Sequence, residues 1–142
     1  MHKNPDDEWL TKLLRESRTI AVVGLSPKPH RDSFKVASYL KAQGYRVIPV
    51  HPRAQEVLDE RAYRTLAEIP EPVDIVNVFR RSEETPAVVE DAVPLRPRAV
   101  WLQLGIASTE AAGRAAAAGL PIVMDRCLMV EHRRLLHPRN PR

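Results

Sequence analysis

From Thr19 onward, short apolar runs alternate with stretches whose apolar residues recur at helical spacing. The runs are continuously apolar, as expected of strands covered on both faces. They predict strands at 19–24, 46–50, 73–78, 98–104 and 121–124, with helices near 33–43, 82–94 and 108–118 between them. Strands alternating with helices imply an α/β fold, with a mostly parallel five-stranded sheet and helices on both faces. Gly44 and Gly119 sit where helices should stop, and Ser33, Ser82 or Thr85, and Ser108 where they should start. Ahead of the first strand, Asn4-Pro5-Asp6-Asp7 supplies a cap, a proline and acidic residues for another helix. Its apolar face is Trp9, Leu10, Leu13 and Leu14. The chain thus divides into an N-terminal helix at 1–17 packing on the domain, the domain proper at 18–136, and a basic tail at 137–142. Residues 51–70 break the alternation, and a short irregular or single-turn crossover is expected there. The alanine-rich stretch from Ala111 to Ala118 fits a helix packed closely on the sheet.

A length of 142 residues suits one domain, which buries roughly two-thirds of its unfolded surface without needing a metal or disulfide. The single cysteine, Cys127, excludes an intramolecular disulfide. No stretch approaches the roughly 20 apolar residues of a membrane span, and no signal-like run follows Met1. A cytoplasmic protein is expected. Net charge is +4, from 22 Lys and Arg against 18 Asp and Glu. With few aromatics, and no basic block interleaved with them, nucleic-acid binding is disfavoured. A small polyanion is the better partner. Thirteen prolines against five glycines would stiffen the loops by limiting the freedom of the unfolded chain.

In an open parallel sheet, ligands bind beyond the carboxyl ends of the strands, where strand order reverses. The first strand ends in Gly24-Leu25-Ser26-Pro27-Lys28, with Arg31 and Ser33 following. A Gly-x-Gly-x-x-Gly pattern would need glycine at 26 and 29, where Ser26 and Pro29 stand, so a nicotinamide or flavin dinucleotide is disfavoured. The second strand ends in His51-Pro52-Arg53. Enzymes that use unphosphorylated NAD place an acid there to hold the ribose hydroxyls. An arginine instead grips a phosphate bidentately. The ligand expected from this end carries an extra phosphate on its adenosine ribose, leaving NADP and coenzyme A. Phe79-Arg80, Gln103 to Gly105 and Asp125-Arg126-Cys127 end the other three strands. Each residue also has an ordinary role open to it. Gly24 suits a tight turn, Ser33 a helix cap, His51 a backbone bond, Phe79 the core or an adenine, and the arginines a solvated loop. No metal-ligand spacing is present, and none of the histidines lies beside a serine or acid pattern that would make a nucleophile.

Five segments in register then match a known family. They are Ala21-Val-Val-Gly24-Leu-Ser26, Tyr45-Arg-Val-Ile-Pro-Val-His-Pro52, Val73-Asp-Ile-Val-Asn-Val-Phe-Arg80, Val100-Trp-Leu-Gln-Leu-Gly105 and Asp125-Arg-Cys-Leu-Met-Val-Glu131. The chain resembles the coenzyme A-binding domain proteins, single-domain relatives of the N-terminal domain of the succinyl-coenzyme A synthetase alpha subunit. The resemblance covers about residues 18–132 and implies a Rossmann-like fold that binds coenzyme A or acyl-coenzyme A. By position it places Gly24, Ser26, Lys28, Arg31 and Ser33 at the diphosphate. His51, Pro52 and Arg53 fall at the adenosine end, Gln103 and Gly105 along the pantetheine, and Cys127 near the thiol. Phe79 and Arg80 stand where the family commonly has a Pro-Pro pair, and Arg80 adds a charge that a phosphate would welcome. The synthetases need a second domain with a phosphorylated histidine and a nucleotide-grasping subunit, for which 142 residues leave no room. Binding without catalysis is therefore expected. Cys127 is either an inert half-buried thiol or one able to form a mixed disulfide with the ligand. Two other readings stay open at this point: an NADP-dependent reductase, and a cationic docking module for an acidic protein partner.

Overall fold

The structure is a computed structural model that describes residues 2–53 and 55–137; the arginines of the expected basic tail, Arg139 and Arg142, lie outside the described residues. In chain order the elements are α1 (Asp7–Glu16), β1 (Thr19–Val23), α2 (Asp32–Ala42), β2 (Arg46–Val50), β3 (Glu56–Val57), β4 (Glu60–Arg61), β5 (Ile75–Val78), α3 (Thr85–Ala92), β6 (Ala99–Leu102), α4 (Thr109–Ala117), β7 (Ile122–Val123) and α5 (Leu128–Leu136). Five of the strands form one sheet in the order β2-β1-β5-β6-β7, with every neighbouring pair parallel. This is the Rossmann-like α/β architecture expected from the sequence.

The side chains of each strand alternate between two apolar layers. Ile20, Val22, Val47, Ile75 and Trp101 pack with Leu10, Leu13 and Leu14 of α1, Val36 and Leu40 of α2, and Leu128 of α5. Ala21, Val23, Val76, Val78 and Val100 pack with Val89 of α3 and with Ala111, Ala112 and Ala115 of α4. The small residues of α4 let it lie close to the sheet and to α3. The chain moves outward from β1 to β2 and then crosses back to β5 on the other side of β1. The order therefore reverses between β1 and β5, and the crevice of such a sheet opens there.

Several local expectations are corrected. Asp6, not Asn4, caps α1, accepting from the Trp9 N–H at 2.9 Å. Asn4 instead brackets the end of β7, accepting from the Met124 N–H and donating to the Met124 carbonyl, each at 2.9 Å. Arg31 holds the cap position of α2 with no side-chain cap bond, which leaves Ser33 inside the first turn. Ser108 caps α4 as expected, accepting from the Ala111 N–H at 3.0 Å. The helix expected to reach residue 94 ends at Ala92 and tightens into a 3-10 turn at Val93–Leu95, because Pro94 has no N–H to continue the α ladder. Within 51–70 the crossover contains the antiparallel β3–β4 hairpin, turned through Leu58 and Asp59 at positive φ, and a single 3-10 turn at Leu66–Glu68.

Helix α5 goes beyond what the apolar pattern predicts. It carries two buried polar residues, Glu131 and His132. Burial drives the Glu131 carboxyl upward, but hydrogen bonds from Arg134 and Arg126 outweigh it and hold the group below its ordinary value. Arg134 also makes paired 2.8 Å bonds to Asp7 and so ties α5 to the start of α1. His132 lies nearly perpendicular to the rings of Tyr39 and Tyr45, with Nδ1 at 2.8 Å from the Tyr39 hydroxyl. Burial, then the nearby His137, lower its pKa from an ordinary 6.5. A lowered histidine stabilises the fold fully above the unfolded value and loses that contribution as pH falls through the folded one. The urea midpoint is accordingly expected to drop between pH 7.5 and 5.5, with His132→Gln flattening that slope. An unchanged slope in the variant would mean that His132 is not the titrating group.

Candidate functional site

The crevice at the carboxyl edge comprises three clefts that share walls. The middle one, of about 680 Å³, is lined by Gly24, Ser26, Pro27, Lys28, Arg31, Asp32, Ser33, His51, Arg53 and Phe79. Eight of the thirteen residues singled out from the sequence meet in it. A second cleft of about 530 Å³, entered past Phe79 and Asp32, is lined by Phe79, Arg80, Gln103 and Cys127 together with Lys35, Val36, Arg81, Leu104, Ile106, Met129 and Val130. A third, of about 790 Å³, adjoins the middle cleft through Arg53. It holds Pro52 with Gln55, Arg61, Tyr63, Arg64 and Glu68. Gly105 lines none of the three. It is exposed at φ +83, and its N–H donates to Asp125 Oδ1 at 2.7 Å, closing the turn after β6.

The middle cleft is built by the turn after β1. Gly24 adopts φ +87, and a Cβ placed on it would lie 2.3 Å from the Phe79 carbonyl oxygen. Glycine lets β1 and β5 approach at the switch point. The Gly24 N–H donates to the Val50 carbonyl at 2.9 Å. The Ser26 N–H donates to Ser33 Oγ at 3.0 Å and the Lys28 N–H to Ser26 Oγ at 3.1 Å. The two serines thus pin the loop that the missing glycines would have shaped, and the amides of Gly24, Ser26 and Lys28 are spent inside the protein. What faces the cleft is the start of α2. Its first helical bond runs from the Lys35 N–H to the Arg31 carbonyl, so the amides of Asp32, Ser33 and Phe34 precede the ladder. A helix N-terminus with amides of this kind attracts anions.

Charge reinforces that preference. Lys28, Arg31 and Arg53 are exposed around the cleft and form no ion pair among the described residues. His51 accepts from the Arg53 N–H at 3.0 Å through Nδ1, which orients its ring. Burial, then the charges of Arg80 and Arg53, lower its pKa. Arg80 is half-buried, reaches Glu84 at 3.5 Å, and keeps its Nε buried without a partner among the described residues. A buried donor of this kind costs free energy until an acceptor arrives. Phe79 packs against the core and also walls two of the clefts.

Gln103 is buried, and its Oε1 accepts from the Leu128 N–H and from Asn77 Nδ2, each at 3.2 Å. It thereby fixes the start of α5 against the edge of the sheet. Asn77, buried in the middle of β5, is absent from the sequence-based candidates, although an amide within Ile75-Val-Asn-Val78 is a recognisable signal. Absent from them too are Val36, Leu104, Ile106, Met129 and Val130, the apolar wall of the second cleft. Cys127, half-buried at the head of α5, also lines that cleft. Among the described residues no group of three or more His, Cys, Asp or Glu is placed to hold a metal, and no helix is long and apolar enough to cross a membrane.

A parallel α/β sheet with a basic crevice at its switch point is the setting in which sheets of this class bind ligands. Residues 18–133 match the CoA binding domain family, and the chain belongs to it. It is 40% identical over 130 residues to the uncharacterized protein YneT of Bacillus subtilis, covering 92% of this chain and 96% of that one. The solved structure of cell-free ID.343 from Thermus thermophilus superposes with a TM-score of 0.89 at 44% identity, over 92% of this chain and 99% of that chain. A shorter match, 42% identical over 59 residues, joins it to the alpha subunit of acetate–CoA ligase (ADP-forming) II of Pyrococcus furiosus. That match covers 41% of this chain and 13% of the ligase subunit.

Proposed function

We propose that this protein is a cytoplasmic binding protein for coenzyme A or its acyl thioesters, with no catalysis of its own, and that the ligand lies along the carboxyl edge of the sheet. The observation that carries the reading is the continuity of the clefts. A cationic end, a basic middle at the start of α2 and a largely apolar end with a thiol follow one another across the switch point. The diphosphate fits over the start of α2, beside Lys28, Arg31, Ser26 and Ser33, with Gly24 giving the turn its shape. His51, Pro52 and Arg53 take the adenosine end and its ribose phosphate. Arg80 offers its unpartnered Nε to a phosphate or to the first amide of the pantetheine. The arm then passes Phe79 and Gln103, with Gly105 at the turn beyond, toward Cys127.

The test is calorimetric titration of the purified protein with coenzyme A and with NADPH in one buffer. Binding of coenzyme A without binding of NADPH is expected. The reverse would discard this reading in favour of a reductase, and binding of neither would favour a docking module.

A further inference from the structure

We propose that the second cleft holds the hydrocarbon of an acyl thioester, so that the preferred ligand is an acyl-coenzyme A with an apolar chain rather than free coenzyme A. This rests on the reading that coenzyme A lies along the carboxyl edge. Leu104 is 67% exposed and Val130 48%, and they are the large hydrophobic residues left exposed among the described residues. Both stand on this one cleft, Leu104 after β6 and Val130 on α5. Val36, Ile106 and Met129 continue the apolar surface inward. Asp32, Lys35, Arg80 and Arg81 also line this cleft, but most of its lining is apolar, and the Gln103 Oε1 is turned away to the Leu128 N–H and Asn77.

The cleft is also joined to the polar one through Phe79 and Asp32. A single molecule with a charged head and an apolar tail spans both. A ligand ending in a bare thiol at Cys127 would leave Leu104 and Val130 in water, whereas a chain extending past Cys127 covers them. Met129 is unbranched and adaptable, which suits a wall that receives chains of varied shape.

The experiment compares affinities for coenzyme A and octanoyl-coenzyme A, in the wild-type protein and in the Leu104→Asp, Val130→Asp double variant. A fully buried methylene tightens binding about fourfold, so a partly covered octanoyl chain is expected to bind at least about tenfold more tightly than coenzyme A in the wild type. In the variant the ratio of the two affinities is expected to fall toward one. A wild-type ratio near one, with coenzyme A itself bound, overturns this inference and leaves the proposed function standing. So does a ratio that survives both aspartates. If a ratio near one accompanies a dimer that the variant dissociates, the apolar lip belongs to a second copy of the chain. Failure of coenzyme A to bind at all removes the proposed function, and this inference with it.

Discussion

Lys28→Ala combined with Arg53→Ala is expected to weaken coenzyme A binding by roughly 3 kcal/mol or more, since charge-assisted contacts contribute about 1.5–3 kcal/mol each and exposure favours the lower end. The two residues approach the middle cleft from different strand ends, Lys28 from the turn after β1 and Arg53 from the end of β2. Both are exposed and neither joins an ion pair among the described residues, so thermal stability should barely move. Loss of affinity with stability kept is thus the signature of phosphate contacts. Arg53→Ala alone should also erase most of the difference between coenzyme A and 3′-dephospho-coenzyme A. Unchanged affinity in the double variant would remove both residues from the site.

Gly24→Ala is expected to cost roughly 3–5 kcal/mol of folding stability, read as a lowered denaturant midpoint. Two effects combine. A φ of +87 strains any residue with a Cβ, and the added carbon would lie 2.3 Å from the backbone oxygen of Phe79, which no side-chain rotation can relieve. The strands must separate at the switch point, moving Phe79 and the start of α2 together. Coenzyme A affinity should therefore fall with stability, unlike the Lys28 and Arg53 variant. By contrast, Gly44 and Gly105 have open space where a methyl group would sit, leaving only backbone strain there. A Gly24→Ala protein as stable as the wild type would show that β1 and β5 can part without cost.

The sheet is legible in the sequence because its strands are buried on both faces, which writes each one as an unbroken apolar run such as Ile20 to Val23. Helix α5 is not, because Cys127 precedes it in place of a capping side chain, and its buried positions include Glu131 and His132. Glu131 is made tolerable inside by its near neighbours Arg126 and Arg134, and His132 by Tyr39, which is far away in sequence. The β3–β4 hairpin is hidden for a different reason. Strands of two residues are too short to show a period, and Leu58 at φ 53 is not a residue that announces a turn.

At the site, charged and conformationally special residues are readable, so the sequence names the residues of the middle cleft almost completely. The apolar wall is not readable in this way. Val36 and Met129 look in sequence like any core-facing positions of α2 and α5, and only the packing shows that they face a cleft. Ser33 is a site candidate for an incomplete reason. Its place in the sequence suggests a cap for α2, and instead its hydroxyl accepts from the Ser26 N–H and holds the loop after β1 in shape.

Whether coenzyme A lies along the carboxyl edge is decided by residue-resolved mapping of amide chemical shifts during a coenzyme A titration. Shifts are expected to concentrate at residues 24–35, 51–53, 79–81, 103–106 and 127–130. The opposite edge around Ser17, Gly44 and His137, which borders a separate cleft, should stay still. Shifts centred on that opposite edge, with the turn after β1 unmoved, would contradict a ligand at the carboxyl edge.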